Sequence, residues 1–169
     1  MSLSASSSPA PAQAPRYLAL VGFLAVTFAA GAIGSAATFP AVKDWYPTLV
    51  KPSWTPPNWL FGPAWTTLYI LMSVAAWRVW RRADAAGART VLQLYGAQIV
   101  LNALWSILFF NLRQPLLGLV DILLLWSLLA VLLIRFWRAD RIAGLLWAPY
   151  LGWVTFATAL NAAIVWLNR

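Results

Sequence analysis

Five apolar runs, each long enough to cross a bilayer, follow one another along this chain with short polar breaks between them. They fall at about 17–39, 59–80, 92–110, 116–136 and 142–167. Because a helix needs roughly 20 mostly apolar residues to span the hydrocarbon, and lipid tolerates only backbone that satisfies its own hydrogen bonds, the pattern predicts an all-α integral membrane protein, a bundle of five transmembrane helices. Composition supports bilayer as the solvent: 62% of the 169 residues are hydrophobic and 9% charged, a balance that one water-soluble core could not hide. Residues 1–16 are rich in Ser, Pro and Ala, show no apolar period and read as a disordered tail. Residues 17–169 then form one domain. The small residues Ser35, Ala36 and Ala37 near the end of the first run make a cleaved signal the alternative to a first spanning helix, and the length of the run favours the helix.

The segment 40–58 carries Lys43, Asp44, Lys51 and several prolines; it reads as the longest loop. Pro149 lies well inside the last run and is expected to bend it. Lys and Arg keep loops cytoplasmic, and with five crossings one side collects Arg16, Arg78, Arg81, Arg82, Arg89, Arg135, Arg138 and Arg141. The other side has Lys43, Lys51, Arg113 and Arg169. The amino end is therefore expected in the cytoplasm, and the long loop and carboxyl end on the periplasmic side or its equivalent. Scattered at the ends of apolar runs, the basic residues behind the formal charge of +8 read as membrane anchors, and no nucleic acid partner is expected.

Cysteine, histidine and glutamate are absent, which removes disulfides, thiolate nucleophiles, Cys/His metal sites and the usual axial ligands of haem iron. Four aspartates leave little material for two-carboxylate chemistry, so no metal site, no resident cofactor and no acid–base enzyme is expected. The polar and aromatic residues instead fall in stripes. Tyr95, Gln98, Asn102, Trp105 and Phe109 recur at three or four on the third helix, a face that must point into the bundle or a cavity because an unpaired amide in hydrocarbon is costly. The fifth helix repeats the pattern with Tyr150, Trp153, Ala157 and Asn161, and the second with Asn58, Phe61, Trp65, Tyr69 and Met72. Thr27, Gly31, Gly34, Ser35 and Thr38 give the first helix a small-residue face suited to close packing. Trp59, Trp77, Trp80, Trp137 and Trp166 sit near run ends and read as interfacial belt, whereas Trp105, Trp126 and Trp153 lie deeper, where ligand contact and plain packing are both open. Asp121 lies inside an apolar run; an intramembrane carboxylate reads as functional unless it reaches interfacial water or Arg113.

The stretch Lys51-Pro-Ser-Trp-Thr-Pro-Pro-Asn-Trp59, with Gly62-Pro-Ala-Trp65 and Leu68-Tyr69 after it, resembles the signature of the translocator protein family, also called tryptophan-rich sensory proteins or peripheral benzodiazepine receptors. Further matches are Gln98, Leu101-Asn102 and Trp105; Phe109-Phe110 before Arg113-Gln114; Val120-Asp121; and Pro149-Tyr150-Leu151 through Trp153 to Phe156-Ala157-Thr158 and Leu160-Asn161. The resemblance implies a five-helix membrane protein, commonly a homodimer, that binds porphyrins and in some members cholesterol or synthetic aromatic ligands in a pocket under the first loop. It implies that Trp54, Asn102, Trp105, Trp153 and Ala157 line that pocket, with Tyr150 on the same face of the fifth helix, and it matches Asp121 to a family acidic position. Ala162 stands where sterol-binding relatives carry a Tyr, so the proposed cholesterol motif lacks its aromatic member and a tetrapyrrole, protoporphyrin or haem, is the expected ligand. Trp54, Trp105 and Trp153 would stack on such a plate, Asn102 would donate to it, and Lys51 or Lys43 would attract its acidic edge. Light-driven porphyrin degradation, with Trp54 and Trp153 as electron donors, and transport are the alternative functions.

Overall fold

A computed structural model describes residues 16–169, and the expected tail at 1–16 lies outside the described residues but for Arg16. Five helices carry the chain: α1 (Arg16–Asp44), α2 (Phe61–Trp80), α3 (Ala85–Ser106), α4 (Pro115–Ala139) and α5 (Arg141–Leu167). Each belongs to a segment long and apolar enough to cross a membrane. Their lateral order is a ring, α1–α2–α5–α4–α3 and back to α1, with α4 and α5 sharing the most extensive interface.

Several boundaries differ from those expected, each for a local reason. α1 runs through Pro40 to Asp44, so the long connection starts at Trp45 and holds two short 3-10 turns, Tyr46–Thr48 and Asn58–Leu60. The start of α3 at Ala85 precedes the apolar run by two turns: Asp84 caps it, its carboxylate accepting the Gly87 N–H at 2.8 Å. The other end of α3 passes into a π-helical turn, Ile107–Asn111, which keeps Phe109 buried before Arg113 reverses the chain at φ 53°. Asp140 caps α5, accepting the Ile142 N–H at 3.0 Å, and α5 continues as one helix with Pro149 inside it.

The bundle is solid at the end away from the long loop. There Met72, Ala75, Ala76, Leu129, Leu132, Ala143, Trp147 and Tyr150 have no exposed surface. A knot of hydroxyls holds α1, α2 and α3 together at mid-depth, where Tyr95 Oη lies 2.5 Å from Thr27 Oγ1 and Ser73 Oγ lies 3.1 Å from each. Polar bridges of this kind are natural where no water competes. Below it Asp140 closes the end, accepting from Arg78 Nε at 2.8 Å and pairing with Arg82 Nη1 at 2.5 Å. Leu116, Val120, Leu124 and Val131 form an exposed apolar face on α4, as expected of a surface turned to lipid.

Candidate functional site

Toward the long loop the ring of helices opens around a cavity of about 510 Å³. Its floor is set by Phe28 and Gly31 of α1, Tyr69 of α2, Asn102 of α3 and Trp153 of α5, the innermost wall residues of their helices. Above them come Trp65, Trp105, Ser106, Ala157 and Asn161, and toward the loop Val42, Tyr46, Asn58, Phe110 and Ile164. The wall carries aromatic rings, small residues, hydroxyls and amides, and among the described residues no Lys, Arg, Asp or Glu. Ser35, Phe39, Gly62 and Thr66 are wall residues that are also exposed, so the cavity is open sideways between α1 and α2.

The aromatic walls brace one another edge to face. Trp153 meets Phe61 at 5.8 Å and Trp65 at 6.4 Å between ring centroids, and Trp65 meets Tyr150 at 6.2 Å. On the opposite side Trp105 stacks on Phe109 at 5.3 Å, and its indole N–H donates to Asn161 Oδ1 at 3.1 Å. Asn161 in turn donates to the Pro115 carbonyl at 2.8 Å, which ties α5 to the first turn of α4. Asn102 donates to Tyr150 Oη at 3.0 Å, and Tyr150 donates to Gln98 Oε1 at 2.9 Å.

Of the residues expected in the pocket, the structure brings four together on the wall: Asn102, Trp105, Trp153 and Ala157. Tyr150 lies beneath the floor with no exposed surface and touches the wall from behind, through its hydrogen bond to Asn102 and its ring contact with Trp65. Trp54 is not a wall residue; it is 49% exposed, and its ring meets Phe156 at 5.7 Å on the outer side of α5. The indoles that share the cavity wall are thus those of Trp65 on α2, Trp105 on α3 and Trp153 on α5, and the loop indole Trp54 is not among them. Asp121 is not on the wall either. It is 4% exposed on the inner face of α4, and its Oδ2 has no hydrogen-bond partner among the described residues. Trp126 faces outward and donates to Thr155 Oγ1 at 2.8 Å.

The loop lysines are occupied elsewhere. Lys51 Nζ donates to the carbonyls of Tyr46 at 2.8 Å and Leu49 at 2.9 Å and sits 4.9 Å from the Tyr46 ring centre, which cinches the loop onto itself. Lys43 Nζ lies 4.3 Å over Phe39. Neither lines the cavity. Burial pushes the Tyr46 phenol up from its ordinary value, consistent with its place under the loop. The loop is also pinned to the carboxyl end: Val50 N–H donates to Asn168 Oδ1 and Asn168 Nδ2 donates to the Val50 carbonyl, both at 2.9 Å.

Sequence reasoning did not find the α1 wall. The spacing of Gly31, Gly34, Ser35 and Thr38 points to a packing face; Gly31 does pack tightly, its Cα facing the Tyr69 ring with no room for a Cβ, and Gly34 lies close to Ser106, yet all four also line the cavity. The same run of small residues serves a cavity, since short side chains leave volume whichever neighbour stands opposite.

A family model described as the TspO/MBR family matches residues 23–167. The chain is 46% identical over 151 residues to the tryptophan-rich protein TspO of Archaeoglobus fulgidus, covering 89% of this chain and 97% of the relative. It is 39% identical to the tryptophan-rich sensory protein of Cereibacter sphaeroides, over 86% and 90% of the two chains. To the translocator protein of Homo sapiens it is 35% identical, over 89% and 90%.

Proposed function

This chain belongs to the TspO/MBR family, and on that premise we propose that it is a membrane receptor that takes a flat hydrophobic ligand, a tetrapyrrole such as protoporphyrin, from the bilayer into the cavity under the long loop. The observation that carries this reading is the cavity itself: about 510 Å³, walled by Trp65, Trp105, Trp153 and Tyr69, uncharged, and open to the side between α1 and α2. Its volume is that of small-molecule sites, and its ring faces offer stacking to an aromatic plate. With no cation in the wall, the acidic edge of a porphyrin is expected to stay at the mouth, near the loop and the headgroups, while the macrocycle is inside. The relatives named as sensory and translocator proteins fit a role in ligand detection or traffic. The basic residues at the ends of α1, α2, α4 and α5 support an orientation with the amino terminus in the cytoplasm and the long loop on the opposite side.

The test is a titration of purified protein with protoporphyrin, followed by quenching of tryptophan fluorescence, with a sterol in parallel. Saturable quenching by the porphyrin is expected; quenching by the sterol alone would overturn the assignment. A second reading, light-driven degradation, is favoured by the unbroken ring contacts from Trp153 through Trp65 to Tyr150 and Trp147, which offer an excited ligand nearby electron donors. It requires new pigment products on illumination, and their absence in air and under nitrogen removes it.

A further inference from the structure

Asn102 is the one amide of the cavity floor, and what it shows a ligand is decided two residues away. Gln98 is fully buried, and one end of its amide faces the sulfur of Met72, with Nε2 at 3.7 Å. A thioether accepts weakly and never donates, so that end must be the NH₂ and the other end the carbonyl. Gln98 Oε1 then takes the single proton of Tyr150 at 2.9 Å. Having given its proton away, Tyr150 Oη is an acceptor toward Asn102, which turns its nitrogen down to it at 3.0 Å. Asn102 Oδ1 is left with no hydrogen-bond partner among the described residues, on a side chain that is 8% exposed and part of the cavity wall. Met72, Gln98 and Tyr150 are outside the wall, and each is without exposed surface.

The geometry points to a polarity relay: Met72, Gln98 and Tyr150 orient Asn102 so that the cavity floor is a hydrogen-bond acceptor, selecting flat ligands that carry an uncharged N–H or O–H on the edge they bring deepest. The relay rests on the cavity being the ligand site and adds to it a rule of choice. An acceptor-edged ligand would set oxygen against Asn102 Oδ1 and have only the second Nδ2–H, beside the one given to Tyr150, to accept from, or force the three groups to reverse together and leave Gln98 Oε1 against the Met72 sulfur. In a dry site either outcome costs a hydrogen bond and leaves a polar atom unpaired. The neighbouring Asn161 shows no such choice, since both its amide atoms are engaged. Gln98, Met72 and Tyr150 are positioning residues in this scheme; of the four, Asn102 alone lines the cavity.

Three tricyclic probes of one shape separate the terms: carbazole offers an N–H, dibenzofuran an oxygen acceptor, and fluorene neither. Each is titrated by tryptophan quenching into detergent-solubilised protein, and affinities are read as ratios to that of fluorene. Wild type is expected to favour carbazole over dibenzofuran by about tenfold, the worth of one buried hydrogen bond. In Gln98→Leu, Tyr150 turns its proton to Asn102 Oδ1, the amide reverses and the preference shifts toward dibenzofuran. Met72→Leu, which conserves volume, frees Gln98 to reverse and narrows the ratio while keeping both amides and the phenol in place. Equal affinities in wild type, or a wild-type ratio kept in both variants, overturns the relay. Quenching by protoporphyrin with none from any tricycle also overturns it and leaves the site assignment standing, whereas no quenching by porphyrin or tricycle removes both.

Discussion

Trp153 stands where the cavity wall, Phe61 and Trp65 meet, so its indole is the ring whose loss should be felt most by a ligand. Trp153→Ala is expected to weaken porphyrin binding by more than stacking alone, which is worth about 0.5–1.5 kcal/mol beyond area burial. Trp54→Ala acts at one remove, through the Phe156 edge it supports, and Trp166→Ala, at an exposed ring near the end of α5, acts least. Equal affinities for the three variants in a quenching titration would refute this order. Gly31 gives a second handle. A methyl there overlaps the far end of the Tyr69 ring, which can yield only by swinging away from α1. Gly31→Ala is therefore expected to reduce ligand affinity while shifting Tm little, because a side-chain tip can move where backbone cannot; loss of Tm at unchanged affinity would contradict it. Three-and-four spacing made the shared faces of Asn102 with Trp105 and of Trp153 with Ala157 legible in the sequence, and the family resemblance made them pocket residues. Trp54 was not, because spacing along an irregular loop says nothing about where a ring points.

Helices α4 and α5 meet in a hairpin joined by Asp140, and the joint is tight at Gly144, where a Cβ would fall 2.8 Å from the Trp137 Cα. That neighbour is backbone and cannot rotate aside. Gly144→Ala should cost about 1–3 kcal/mol, the usual range for overpacking, and lower the thermal midpoint in detergent with ligand discrimination retained. A midpoint equal to wild type would show the hairpin to be looser than its geometry. All five helices could be read from apolar length, since hydrocarbon thickness fixes that length. Their ends could not: the first two turns of α3 are mostly alanine and glycine with Arg89 and Thr90, too weakly apolar to extend the run, and depend on the Asp84 cap, and the continuation of α1 past Phe39 crosses a proline that reads as a stop. The small face of α1 was visible as a pattern, yet a pattern of missing side chains does not say whether a helix or a void fills the space.

For the whole molecule, the charge cluster at the closed end predicts how stability follows pH. Burial by itself would raise the Asp140 carboxyl, but the Arg78 hydrogen bond, the Ile142 N–H and the charges of Arg78 and Arg82 outweigh it and hold the group below the ordinary carboxylate range. A carboxyl depressed in the folded state stabilises fully above its unfolded value, about 3.9, and loses that contribution as pH falls through the lower folded value. Thermal midpoints recorded from about pH 7 to about pH 3 should fall in the acid limb for wild type and less for Asp140→Asn, which starts lower by about 1.5–3 kcal/mol for the lost charged hydrogen bond. Parallel curves would assign the acid loss to other groups. At the opposite end the cavity roof hangs on Asn168, whose two bonds to Val50 join the long loop to the last turn of the chain. Because Asn168 is also bonded to the Ile164 carbonyl of α5, any load on the carboxyl terminus, whether a fused reporter, a surface tether or a bound antibody, bears on the roof and on α5 together, so residence times measured on immobilised protein will depend on which terminus is anchored.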